Sequence, residues 1–156
     1  MKVVCAAFIV ALAIEGCTPG AAGSSNAGSA PGTSASVTTV DVNLTSDPAG
    51  TTTAGVGRGY APLAATVTVG TFVRFKNSDG FAHTASSIAG TAFPATYPFS
   101  GSALTASGGT LSDGFTSGAL SAGQSSQALL ADRPGTYLFG CFFHYGTPMR
   151  ATIVVQ

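Results

Sequence analysis

The chain has 156 residues, of which 45% are apolar and only 8% charged, and its formal net charge is zero, whereas an average soluble protein carries about 25% charged residues. Six basic residues spread along the chain build no groove for phosphates, which excludes nucleic acid as a partner, since that binding rests on clustered Lys and Arg. A neutral, sparsely charged chain also lacks the one-signed field needed to steer a charged partner over distance.

Taken in chain order, the first element is an export leader. Lys2 is a minimal positive start, and Val3 to Ile14 is an apolar run too short to span a bilayer as a helix. Ile14-Glu15-Gly16-Cys17 then resembles the lipobox of bacterial lipoproteins, which makes Cys17 a candidate lipidation site and implies attachment to a membrane through a lipid anchor. Ordinary cleavage near Ala21-Ala22-Gly23 is the competing reading. The leader is assigned to residues 1–17 and a flexible linker to residues 18–36, a Gly/Ser/Ala-rich tract that cannot bury enough apolar surface to repay its ordering. Residues 37–156 form the expected single domain, large enough for one core.

That domain reads as all-β. Val37 to Leu44 is rich in β-branched residues, Ala65 to Val69 alternates, and Phe72 to Lys76 follows the turn Gly70-Thr71. Asn77-Ser-Asp-Gly80 is a loop signal, and His83 to Ser87 is a short strand candidate. Residues 91–123 give no firm assignment and read as a long excursion with one short helical turn or strand. Gln127 to Ala131, Thr136 to Phe139 and Arg150 to Val155 complete the strands, with Asp132-Arg-Pro-Gly135 as a turn. Many short strands separated by turn signals predict a sandwich or barrel.

The chemistry is concentrated near the C-terminus, in Gly140-Cys-Phe-Phe-His-Tyr-Gly-Thr-Pro-Met149, a C-x2-H-x4-M run. Cys5 and Cys17 belong to the leader, so Cys141 is the sole thiol of the domain. A lone thiol in an exported protein has no disulfide partner and is open to oxidation unless something occupies it. His83 and His144 are the two histidines of the chain, and Met149 is its one methionine besides Met1. Singly, each has a commonplace reading: a surface histidine, a loop histidine, a packing methionine, a buried inert cysteine. Jointly, a thiolate, two imidazoles and a weak thioether are the donor set of a blue-copper electron-transfer site. Zinc fits less well, because structural zinc takes four strong Cys or His donors. Cys141 would end one strand and Arg150 begin the next, so three donors share one loop, and His83 must arrive from another strand end.

These residues resemble the cupredoxins, of the plastocyanin, azurin and pseudoazurin kind. Val73-Arg-Phe-Lys-Asn-Ser-Asp-Gly-Phe-Ala-His83, Ser117 to Ser125 and Pro134 to Val155 carry the resemblance, which covers most of residues 37–156. It implies a Greek-key β-sandwich holding one type 1 copper, with His83, Cys141 and His144 as equatorial ligands and Met149 as the long axial one. It also implies that His144 sits in an apolar patch, flanked here by Phe142, Phe143, Tyr145 and Pro148, where electrons enter or leave. Many family members have Asn after the upstream histidine where this chain has Thr84, whose hydroxyl is a candidate to hydrogen-bond across to the Cys141 loop and tune the site.

The function expected is one-electron transfer between redox partners outside the cytoplasm, such as a cytochrome and a terminal oxidase, by a monomer. The alternative is a periplasmic copper-binding or delivery protein without a dedicated electron-transfer role, and a third reading is a copper-free surface or adhesion module. An enzyme is not expected: two histidines cannot build the additional copper centres of a multicopper oxidase or nitrite reductase, and no second cysteine near Cys141 is present for a dinuclear centre.

Overall fold

The computed structural model describes residues 35–156, so the leader, Cys17 and nearly all of the linker lie outside the described residues. Ten strands and one short 3-10 helix follow in chain order: β1 (Val37–Val42), β2 (Gly50–Thr52), β3 (Gly55–Gly57), β4 (Tyr60–Ala61), β5 (Ala64–Val67), β6 (Phe72–Asn77), β7 (Ser86–Ile88), the 3-10 turn Gly101–Leu104, β8 (Leu129–Leu130), β9 (Gly135–Gly140) and β10 (Arg150–Val155). They form a Greek-key β-sandwich of two four-stranded sheets, ordered β4-β1-β6-β8 and β5-β10-β9-β7, with β2 and β3 as a separate hairpin. The chain crosses between sheets, so β1 runs parallel to β6 and β5 parallel to β10.

Period-two alternation explains how the sheets face each other. In β6, Val73, Phe75 and Asn77 are buried while Arg74 and Lys76 are exposed. Val40, Val42, Val73, Phe75 and Leu129 of one sheet meet Ala65, Val67, Phe139, Ala151, Ile153 and Val155 of the other in one core. At its centre, Phe139 packs against Tyr60 and Phe75 with ring centroids 4.9 Å apart in both pairs, and Phe115 stacks on Phe75 at 5.7 Å. Pairs of this kind contribute roughly 0.5–1.5 kcal/mol each beyond the area they bury. Leu138 points the other way and joins Ile88, Ala54 and Tyr145 in a smaller cluster covered by Phe93 and Phe99.

Three regions depart from the sequence expectation or add to it. Strands β2, β3 and β4 fall in a stretch whose Gly and Thr content gave no strand signal. β2 and β3 pair as a hairpin and β4 pairs with β1, and Gly57 passes so close to β10 that a Cβ on it would lie 2.0 Å from the carbonyl oxygen of Arg150. Residues 91–123, which gave no firm assignment, contain the 3-10 turn and contribute Leu111, Phe115 and Leu120 to the main core. The expected strand at His83 to Ser87 begins only at Ser86; His83 itself makes one isolated bridge to Leu120.

Candidate metal centre

Strands β9 and β10 pair antiparallel, ending at Gly140 opposite Arg150. The intervening loop is closed by its own backbone. The Cys141 N–H donates to the Met149 carbonyl at 2.9 Å, and the His144 carbonyl accepts the Thr147 and Met149 amides at 3.0 and 3.2 Å and the Thr147 hydroxyl at 2.8 Å. The β3–β4 connection braces the far end, where the Arg58 N–H donates to the Pro148 carbonyl at 3.1 Å. Gly59 lies there in the left-handed region (φ +76°), and a Cβ on it would lie 2.9 Å from Met149 Cγ. The methionine side chain therefore occupies space that only glycine leaves open.

His83 comes from the β6–β7 connection. Its backbone exchanges two hydrogen bonds with Leu120, at 3.1 and 2.8 Å, so the excursion pins the one distant donor. The structure brings His83, Cys141 and His144 together: Cys141 Sγ lies 3.7 Å from His83 Nδ1 and 3.6 Å from His144 Nδ1, and the two Nδ1 atoms are 3.1 Å apart. The point equidistant from all three atoms lies about 2.0 Å from each, close to the ~2.0–2.1 Å of a metal–imidazole bond and slightly inside the ~2.3 Å of a metal–thiolate bond. His83, Cys141 and Met149 are fully buried, whereas His144 is half-buried. Met149 is tied through its backbone to both Cys141 and His144. Two imidazoles, one thiol and a buried thioether on the same loop fit one type 1 copper ion.

The electrostatics suit a metal that displaces protons. Burial pushes the Cys141 thiol above its usual range, opposed by hydrogen bonds that include the Thr84 N–H at 3.4 Å from Sγ. Burial and the neighbouring His83 ring lower the pKa of His144, which favours the neutral imidazole. Metal ligation requires that neutral ring and a deprotonated sulfur.

Thr84 links the donors. Its hydroxyl accepts the Phe142 N–H at 2.8 Å, its amide faces Cys141 Sγ, and its carbonyl accepts the Tyr60 hydroxyl. Sequence reasoning missed several supports. Tyr97 donates its hydroxyl to the Phe142 carbonyl at 2.6 Å, Tyr145 donates to the Pro94 carbonyl at 2.7 Å, and the Arg150 guanidinium lies over the rings of Phe93 and Tyr145, 5.3 and 4.9 Å from their centroids. The aromatic and Pro content of residues 93–99 was the available signal. It also missed Asp79, four residues before His83, whose carboxylate lies 3.1 Å from His83 Nε2. Burial pushes that carboxyl up, but hydrogen bonds from His83, the Thr45 hydroxyl and the Gly80 and Thr45 amides outweigh it and hold its pKa at about 2.

No family model matches the chain, and no curated protein matches it by sequence. Among solved structures it is similar to a purple cupredoxin from Nitrosopumilus maritimus (18% identity, TM-score 0.47, covering 76% of this chain and 98% of that one) and to oxidized plastocyanin from Dryopteris crassirhizoma (20% identity, TM-score 0.48, covering 76% and 100%). It is also similar to a Cu(I) form of an amicyanin mutant (16% identity, TM-score 0.45, covering 76% and 82%). At such identities and TM-scores the chemistry of the site rests on its own side chains.

Proposed function

We propose that this protein is a mononuclear type 1 copper electron carrier working outside the cytoplasm. The observation that carries this reading is the convergence of Cys141 Sγ and the two Nδ1 atoms around a point about 2.0 Å from each. When bound, copper supplies a one-electron couple between Cu(II) and Cu(I). The chain's part would be to hold the ion through His83, Cys141, His144 and Met149 in a frame that does not rearrange. That frame is the closed β9–β10 loop, the Thr84 links and the His83–Leu120 pairing.

Burial favours carriage over delivery. With His83, Cys141 and Met149 at 0% exposure, handing the metal to a partner would require the loop to open against those hydrogen bonds. An electron needs no such opening. His144 is the donor nearest solvent, and the 45% exposed Phe143 lies beside it with ring centroids 6.2 Å apart. That exposed apolar edge suits a brief encounter with a cytochrome or terminal oxidase. The apolar leader Val3 to Ile14 and Cys17 support export and membrane attachment, and the protein is read as a monomer.

The test is a Cu(II) titration of the full chain followed by visible absorption, with Cys141→Ser as control. The expected result is an intense thiolate-to-copper band that saturates at one equivalent, bleaches with ascorbate and is absent in the variant. A colourless wild-type complex would refute the assignment.

A further inference from the structure

The Asp79 carboxylate is deeply placed for a charged group: its side chain is 4% exposed, and the His83 ring it touches is 0% exposed. It is also over-determined. The Thr45 hydroxyl lies 3.0 and 3.1 Å from its two oxygens, the Thr45 amide donates at 3.2 Å and the Gly80 amide at 2.7 Å, while its own N–H donates to Asn77 Oδ1 at 2.9 Å. Asn77 in turn donates to the Phe81 and Leu120 carbonyls. All these bonds aim Oδ2 at His83 Nε2.

An ionised carboxylate can only accept hydrogen bonds. The 3.1 Å contact is therefore a hydrogen bond donated by His83 Nε2, while the other ring nitrogen, Nδ1, faces Cys141 and His144. We propose that Asp79 is a positioning residue of the metal site, acting through His83: it selects the tautomer that can ligate, fixes the plane of the ring, and sets a buried negative charge behind the ligand. The inference rests on the copper reading above. A carboxylate hydrogen-bonded to a ligating histidine raises that ligand's basicity, and a buried anion stabilises the more highly charged Cu(II) over Cu(I), lowering the reduction potential.

Two measurements test this. In the metal-free full chain, nitrogen-15 NMR of the His83 imidazole should show a proton on Nε2; a bare Nε2 overturns the inference without any variant. In the copper-loaded chain, Asp79→Asn keeps an acceptor oxygen but removes the charge. The ratio of Cu(II) to Cu(I) affinity should fall on the order of tenfold, a rise in potential of about 59 mV for one electron. Asp79→Ala, which also frees the ring, should lose more Cu(II) affinity than Asp79→Asn. A blue wild type whose potential is unchanged in Asp79→Asn overturns this inference alone, whereas a wild type that takes up no copper overturns the reading beneath it as well.

Discussion

Replacing Thr84 by valine deletes one hydroxyl at the point where the two ligand-bearing segments meet. Thr84 is fully buried, and its hydroxyl is the acceptor of the Phe142 N–H at 2.8 Å. It also receives a longer contact from Ser86 Oγ at 3.4 Å, but that group keeps Thr116 Oγ1 as a partner at 2.8 Å. The loss therefore falls on the Phe142 N–H and on the hydroxyl's own hydrogen bond to Cys141. An amide left without a partner away from water costs about 1–3 kcal/mol, and valine preserves the shape of threonine, so cavity formation adds little. For a domain of this size that lowers the melting temperature by roughly 4–12 °C. Because Phe142 follows Cys141 directly, Cu(II) affinity should also fall on the order of tenfold. Thermal melts of the metal-free chain and Cu(II) titrations of wild type, Thr84→Val and Thr84→Ser measure both effects. Serine restores the acceptor and should recover most of the loss. A valine variant that melts with wild type, or a serine variant that falls as far as valine, refutes the role given to the hydroxyl.

Met149→Leu is close to volume-conserving in a buried site and should cost under ~1.5 kcal/mol, yet voltammetry should show a raised potential because a weak donor to Cu(II) is gone; an unchanged potential would mean that Met149 is not axial. Gly57→Ala puts a methyl 2.0 Å from the Arg150 carbonyl oxygen, and since neither backbone can yield it should destabilise by at least ~1–3 kcal/mol in urea melts, whereas Gly146→Ala, which meets nothing within 4 Å, should stay within ~0.5 kcal/mol of wild type. Asp132 has its pKa lowered from the ordinary 3.8 by hydrogen bonds from the Ser112 hydroxyl and amide. Its contribution is therefore complete above that ordinary value and disappears as pH falls through the lowered one, because protonation then costs the folded state more than the unfolded one. Urea melts of wild type and Asp132→Asn should differ at pH 7 and converge in strong acid; an equal gap at both would show that the carboxylate's charge is not what Ser112 holds.

The strands with a clean period were legible as sequence, because alternation of apolar and polar side chains is a local consequence of the pleat: β1, β5, β6, β9 and β10 lie within a few residues of where Val37 to Leu44, Ala65 to Val69, Phe72 to Lys76, Thr136 to Phe139 and Arg150 to Val155 placed them. Cys141, His144 and Met149 stand out for a local reason too, since nine residues of chain between two pairing strands keep their backbones close whatever the rest does. Tertiary structure decided the remainder. Gly50 to Gly57 folds as a hairpin whose Gly57 lies against the Arg150 carbonyl, far away in sequence, and Phe115 enters the core stacked on Phe75. His83 reaches Cys141, 58 residues away, where Leu120 pairs with its backbone and Thr84 ties it to the Cys141 loop. Asp79, Thr84 and Tyr97 act through hydrogen bonds that span from 4 to 58 residues of chain. Such bonds have no sequence period, because their partners are chosen by the packing of the two sheets rather than by neighbours along the chain.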